Sequence, residues 1–283
     1  MPNILLKDLP EWGALRRATV DLYATFAPYP LRTTIPYCTH CLSEAFDAQL
    51  RAQPLHELGA DTARTILANP GTWGEEVDVK HFLPRLFELV ALDLVGPPSG
   101  LYCGAESLGH RVATEGKGFT GWPAPERAAV TAYCQAWLRA ALATWLSTPF
   151  GLDETVESVL CGIAQFTDDF APYLALFGEA LGSSASLAPV AHFLVLTCKY
   201  AVSPYDPSWF RNPWWDSCPE SWQQLLVWIE APATARIAQN TLELSHAPGV
   251  TIDARSFEAH PKESGDVAEA LERIATWAQE ATP

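Results

Sequence analysis

Residues 130–145 read VTAYCQAWLRAALATW, and the spacing of their apolar positions decides the fold class. Val130, Tyr133, Cys134, Trp137, Leu138, Ala141, Leu142 and Trp145 recur at i, i+3, i+4 and i+7, which lines one face of an α-helix. A half-buried strand would instead alternate with period two. Outward in both directions the helical spacing returns. Trp12, Leu15, Thr19, Leu22, Tyr23 and Phe26 make one stripe, and Leu83, Leu86, Phe87, Val90 and Leu94 make another. Shorter stripes fall at 156–163, 187–201, 222–229 and 267–278. Asp153 ahead of the stripe at 156, and Asp266 with Glu269 three residues on, have the form of helix starts. The sequence therefore predicts an all-α fold of roughly ten helices, joined mostly by short connections that set neighbours antiparallel. No fixed-period repeat is present, so the expected arrangement is an irregular bundle or a HEAT-like curved stack.

The chain has 283 residues, of which 48% are hydrophobic, enough to fill a core and too many for a disordered polypeptide. A single domain over 1–283 is expected. A weak division near 96–121 would separate 1–95 from a more acidic 122–283. The 33 Asp and Glu against 18 Lys and Arg leave a net charge of −15, which argues against a nucleic-acid binder, because the field repels phosphate. The longest uncharged stretch, 180–198, is interrupted by Gly-Ser-Ser and by Pro189, so it reads as a buried core helix and not a membrane span. Residues 1–8 lack the apolar run of a secretory signal, and five of the seven cysteines (103, 134, 161, 198 and 218) stand singly. Both features point to a cytoplasmic protein with free thiols.

The sharpest chemical signal is Tyr37-Cys38-Thr39-His40-Cys41. Two thiolates at C-x-x-C spacing reach one tetrahedral metal, and zinc suits thiolate and imidazole together. Cys38, Cys41, His40 and His81 are the candidate ligands, with Asp78 or Cys103 as further donors, yet no second C-x-x-C completes the set. The same pair fits a redox dithiol, although the βαβ context of thioredoxin-like proteins is missing, or two core or half-buried thiols at a helix start before Ser43. Downstream stand Thr72-Trp73-Gly74 and the run DVKHFLPRLFEL at 78–89. With these motifs the stretch 26–92 resembles an uncharacterised family of bacterial helical proteins, in which a cysteine cluster precedes a Trp-Gly turn and an HFLPRLLEL-like helix. The resemblance implies a bacterial helical protein and supplies no activity. Within the run, Asp78 and His81 at i, i+3 can share a face as metal ligands, as an acid/base couple or through a capping hydrogen bond, and Pro84 marks a helix start or kink.

Gly116-Lys117-Gly118-Phe119-Thr120-Gly121 spells G-x-G-x-x-G, but neither a preceding strand nor a βαβ unit accompanies it, so a loop is expected. Thr167-Asp168-Asp169 with Glu179 offers carboxylates for magnesium or, more simply, a helix cap ahead of Phe170 and Pro172. Charge is unevenly spread: residues 1–139 carry −3 and residues 140–283 carry −12, with no Lys or Arg between Arg139 and Lys199. Eleven Trp are present, and Trp209, Trp214 and Trp215 lie in or beside a Pro-rich gap with Asp206 and Asp216. Every catalytic template lacks its context, whereas acidic residues beside large aromatics are the composition of a hot-spot surface. The expected function is therefore an acidic protein-binding module that captures a basic partner through Trp209, Trp214, Trp215, Asp168, Asp169, Asp206 and Asp216. An immunity-type inhibitor of a toxin and a scaffold are the forms considered. A metal-dependent enzyme, or a structural zinc clip at the C-x-x-C, is the alternative; otherwise no cofactor is expected.

Overall fold

The computed structural model describes residues 10–69, 71–92, 104–114, 118–144, 155–183, 187–200, 212–244 and 261–280. These residues hold twelve α-helices: α1 (Pro10–Phe26), α2 (Glu44–Ala52), α3 (Ala60–Ala68), α4 (Glu76–Ala91), α5 (Ala105–Thr114), α6 (Ala124–Leu142), α7 (Thr155–Ala164), α8 (Ala171–Leu181), α9 (Ala188–Tyr200), α10 (Pro219–Ile229), α11 (Pro232–Leu244) and α12 (Pro261–Glu280). No strand occurs among the described residues, and the one strand-like pairing is an isolated antiparallel bridge between Tyr37 and Trp73. The all-α expectation holds. Where α6 ends, Trp145 of the opening stripe lies outside the described residues, as do Leu94 and Asp153.

Helix starts follow local chemistry at some positions and depart from the sequence reading at others. Ser43 caps α2, its hydroxyl accepting from the Phe46 N–H at 3.2 Å. At α4 a reciprocal capping box joins Glu75 and Asp78, with the Glu75 N–H donating to Asp78 Oδ2 at 2.8 Å. Pro84 neither starts nor ends α4 but lies buried within it, so packing outweighs the lost backbone bond. Asp266 falls inside α12, which begins five residues earlier at Pro261. Neither Thr167 nor Asp168 caps α8. That helix starts after Phe170, which has no side-chain cap bond, with Pro172 in its first turn.

The chain divides into two compact units, Met1–Trp137 with Cys161–Thr167 and Leu138–Leu160 with Asp168–Pro283. Two of the divisions lie inside α6 and α7, away from the weak division expected near 96–121. In the first unit α4 forms the centre. Val79, Phe82, Leu83, Leu86 and Phe87 are at most 1% exposed, and α1, α3 and α5 pack against α4. Beside them α5 meets the Cys161–Ala164 turn of α7 at very close range: a Cβ on Gly109 would stand 1.9 Å from the Gly162 carbonyl oxygen. Only the absence of that atom lets the backbones touch.

In the second unit every side chain of α9 is buried. Helices α8, α10, α11 and α12 surround it, and α11 pairs extensively with α12. A helix apolar on all sides belongs at such a centre. Its composition therefore reflects enclosure by protein, and no helix among the described residues is long and apolar enough to cross a membrane.

Candidate functional site

The C-x-x-C segment occupies a tight turn in the first unit. The Cys41 and Leu42 N–H groups both donate to the Cys38 carbonyl at 3.0 Å, which folds Cys38, Thr39, His40 and Cys41 back on themselves. A clamp holds the turn from below: the Cys38 N–H donates to Thr72 O at 2.8 Å and the Gly74 N–H to Pro36 O at 2.8 Å. Gly74 has φ +71°, the left-handed conformation this turn requires, and a Cβ there would press on Asp78 at 3.2 Å. The Trp73 ring is 1% exposed and stacks edge-on against Phe82 at 5.4 Å. Its carbonyl accepts from Arg111 Nη2 at 2.7 Å, and that guanidinium is itself fully buried. A packed tryptophan and a buried arginine thus fix the floor of an exposed thiol turn.

Cys38 and Cys41 are both solvent-exposed, contrary to the reading that placed two thiols at least half inside the core. Backbone hydrogen bonding from His40 and Cys41, with the adjacent Cys41 thiol, holds the Cys38 thiol below its ordinary range. Donating to Cys38 pushes Cys41 up, with partial desolvation adding to the effect. The two sulfurs are chemically unequal.

The other proposed ligands are engaged elsewhere. His81 is half-buried, with Nδ1 2.7 Å from the Tyr29 carbonyl oxygen and its ring edge-on to Phe82 at 4.7 Å. Asp78 is buried and grips Arg32, whose Nε donates to Oδ1 at 2.8 Å and whose Nη2 donates to Oδ2. Arg32 Nη1 also reaches Glu75 at 2.8 Å, and these acceptors raise the guanidinium further above its already high range. The Asp78/His81 pair therefore divides between a cap with an ion pair and a backbone contact. His40 is exposed on the turn, and Cys103 lies outside the described residues. Among the described residues no group of three or more His, Cys, Asp or Glu side chains is placed to hold a metal ion, so Cys38, Cys41, His40 and His81 do not assemble into one site.

Sequence reading missed the polar cluster around Lys80. This side chain is 2% exposed, and its ammonium lies 2.7 Å from Glu76 Oε1 and 2.8 Å from Glu126 Oε2. It also lies 4.6 Å from the Trp122 ring centroid and 5.2 Å from that of Tyr29. The Tyr29 hydroxyl donates to the other Glu126 oxygen. Burial works against the charge of Lys80, but the bonds to Glu126 and Glu76 outweigh it and hold the ammonium above its ordinary range. The neighbouring cleft, lined by Tyr23, Phe26, Tyr29 and His81 among others, encloses about 230 Å³. That is smaller than the roughly 300 Å³ at which small-molecule sites begin. The cluster balances charge inside the packed first unit. Its only legible trace in the sequence is the Glu76–Lys80 spacing of i, i+4.

In the second unit the acidic run divides. Glu157 is buried at 3% side-chain exposure, with Oε2 2.7 Å from Lys199 Nζ and Oε1 accepting from the Tyr200 hydroxyl. Desolvation and the adjacent carboxylate push the Tyr200 phenol far up. Glu179 faces Arg139 at 3.9 Å on the surface. Asp168 and Asp169 are exposed, and the residue that follows them, Phe170, is buried. Phe170 meets Trp215 edge-on at 6.2 Å, which sets the Asp168-Asp169 turn beside the 3-10 turn Pro213–Ser217. Trp214 is half-buried and Asp216 exposed on that turn, with Glu220 exposed at the start of α10. Trp215 is 0% exposed and also packs on Trp222 at 5.4 Å, so its indole is a core wedge and not an outward anchor. Trp209 and Asp206 lie outside the described residues.

No family model, curated protein or solved structure matches this chain. Function therefore has to be argued from the surfaces themselves. The Phe170–Trp215 contact brings the turn that carries Asp168 and Asp169 up to the turn that carries Trp214 and Asp216, whereas His81 is engaged with Tyr29, away from the Cys38–Cys41 turn's own hydrogen bonds.

Proposed function

We propose that this chain is a protein-binding module that captures a basic partner through the acidic surface of its second unit, in the bacterial cytoplasm. The observation that carries this reading is the Phe170–Trp215 contact. It supports the reading by joining two turns that carry the exposed Asp168, Asp169 and Asp216 and the half-buried Trp214. An aromatic face rimmed by anions suits Arg or Lys side chains, which combine ion pairing with cation–π contact. The surplus of negative charge in residues 140–283 supplies the long-range attraction that speeds encounter. An immunity-type inhibitor that occludes a basic toxin domain, or a scaffold for a basic subunit, is the form such a surface takes.

The test is recovery of a partner from the native host by the tagged full chain, at low and at high ionic strength. A basic protein is expected at low salt, with strong loss at high salt. Asp168→Asn/Asp169→Asn/Asp216→Asn and Trp214→Ala should each reduce recovery. A partner held equally by wild type and both variants would show that the surface is not the binding site, and recovery of no partner at either salt would refute the reading.

A further inference from the structure

We propose that Cys38 and Cys41 are a redox-active dithiol that closes to an intramolecular disulfide by exchange with a low-molecular-weight disulfide of the glutathione class. Three features of the first unit support this. The Cys41 N–H donates to the Cys38 carbonyl at 3.0 Å, and a turn closed between residues i and i+3 holds their Cα atoms within about 7 Å. A disulfide spans roughly 4.4–6.8 Å between Cα atoms, so the bond needs little more than side-chain rotation. Both thiols are exposed on that turn, open to a disulfide in solution. Beneath them the Thr72–Gly74 clamp, with buried Trp73 and Arg111, keeps the backbone in place whether the sulfurs are joined or free.

The two sulfurs take different roles. Cys38, whose thiol backbone hydrogen bonding holds below its ordinary range on the exposed turn, is the attacking thiolate. Having lost its proton to solvent, it forms a bond to one sulfur of R–S–S–R. The R–S–S–R bond breaks, and the departing R–S⁻ takes up a proton. Cys41 then loses its proton and attacks the Cys38 sulfur of the mixed disulfide, and a second R–S⁻ leaves and is protonated. The cysteine pair has been oxidised by two electrons, and one disulfide has been reduced to two thiols. The reaction depends on neither the acidic surface nor a partner protein.

To test it, the full chain is equilibrated in glutathione buffers of increasing oxidised fraction, quenched by alkylation and mapped by peptide mass spectrometry. A Cys38–Cys41 disulfide is expected, rising from about a tenth to about nine tenths of the protein over roughly a hundredfold change in the ratio of oxidised glutathione to the square of reduced glutathione. Cys41→Ser should accumulate glutathione on Cys38, and Cys38→Ser should react more slowly at Cys41. Both side chains are exposed, so both variants are expected to keep the wild-type circular dichroism. Three results would overturn the proposal: separate glutathione adducts on the two wild-type cysteines with no internal bond, equal rates for the two variants, or a stoichiometric zinc ion that keeps both thiols reduced throughout the series.

Discussion

Replacing Lys80 by Met tests how the first unit holds charge in its interior. Methionine keeps the length and apolar bulk of the side chain and removes the ammonium that stands 2.8 Å from Glu126 Oε2. Glu126 keeps only 7% side-chain exposure, so water cannot replace the lost cation. Removing one partner of a buried pair costs about 3–5 kcal/mol, because the surviving charge is uncompensated. Glu76, at 35% exposure, is partly solvated and adds little to this figure. Contact with the Trp122 face at 4.6 Å adds on the order of 1 kcal/mol. Because the folded state raises the Lys80 pKa, its stabilisation is complete below the unfolded lysine value near 10.4 and fades only as pH climbs through the higher folded value. At neutral pH the variant therefore loses all of it. Urea unfolding followed by circular dichroism should show the affected transition moved down by about 1 M or more, for an m-value of roughly 3 kcal/mol/M. Adding Glu126→Gln should recover most of the loss. A shift below about 0.3 M, or a double variant no better than the single one, would refute the view that charge compensation is what Lys80 provides.

Two further outcomes follow from backbone contact and from titration. Gly109→Ala adds a Cβ 1.9 Å from the Gly162 carbonyl oxygen, so the two helices must separate until that distance reaches at least 3.0 Å. The overpacking cost of about 1–3 kcal/mol then meets or exceeds the roughly 1 kcal/mol that alanine gains in a helix. Net destabilisation is expected in urea unfolding, whereas Gly178→Ala, whose Cβ meets nothing within 4 Å, should stabilise by up to about 1 kcal/mol. A stabilised Gly109→Ala would show that the close helix contact is not a constraint. His110 has its pKa lowered by burial and by the adjacent Arg111, so it binds a proton more weakly folded than unfolded. Stability should thus fall as pH drops through the unfolded value near 6.5 and level off below the folded one. Thermal unfolding of wild type and His110→Gln between pH 7 and pH 5 checks this, and equal pH dependence would contradict it.

The helices were legible because one-dimensional spacing carries them: the stripes at 12–26, 83–90 and 130–142 all became α-helix. Caps were less legible. Ser43 and Asp78 act at helix starts, but Asp266 and Asp168 do not, because a carboxylate caps a helix only where the chain path ends it. The C-x-x-C was conspicuous in the sequence, yet its exposure and its inequality of sulfurs come from a turn pinned by Thr72 and Gly74, more than thirty residues away. Charge was the least legible. The six carboxylates between Arg139 and Lys199 read as one acidic stretch, but Glu157 turns inward to Lys199 and Glu179 faces Arg139.

Periodicity, composition and net charge by themselves determined an all-α, acidic protein with buried aromatic stripes, because these depend on which residues occur and how far apart they stand along the chain. Tertiary structure alone decided which side chains meet: Lys80 with Glu126, Asp78 with Arg32, and Phe170 with Trp215. Those encounters join helices distant in sequence. Their free energy depends on separation and on exclusion of water, neither of which is written in the local order of residues.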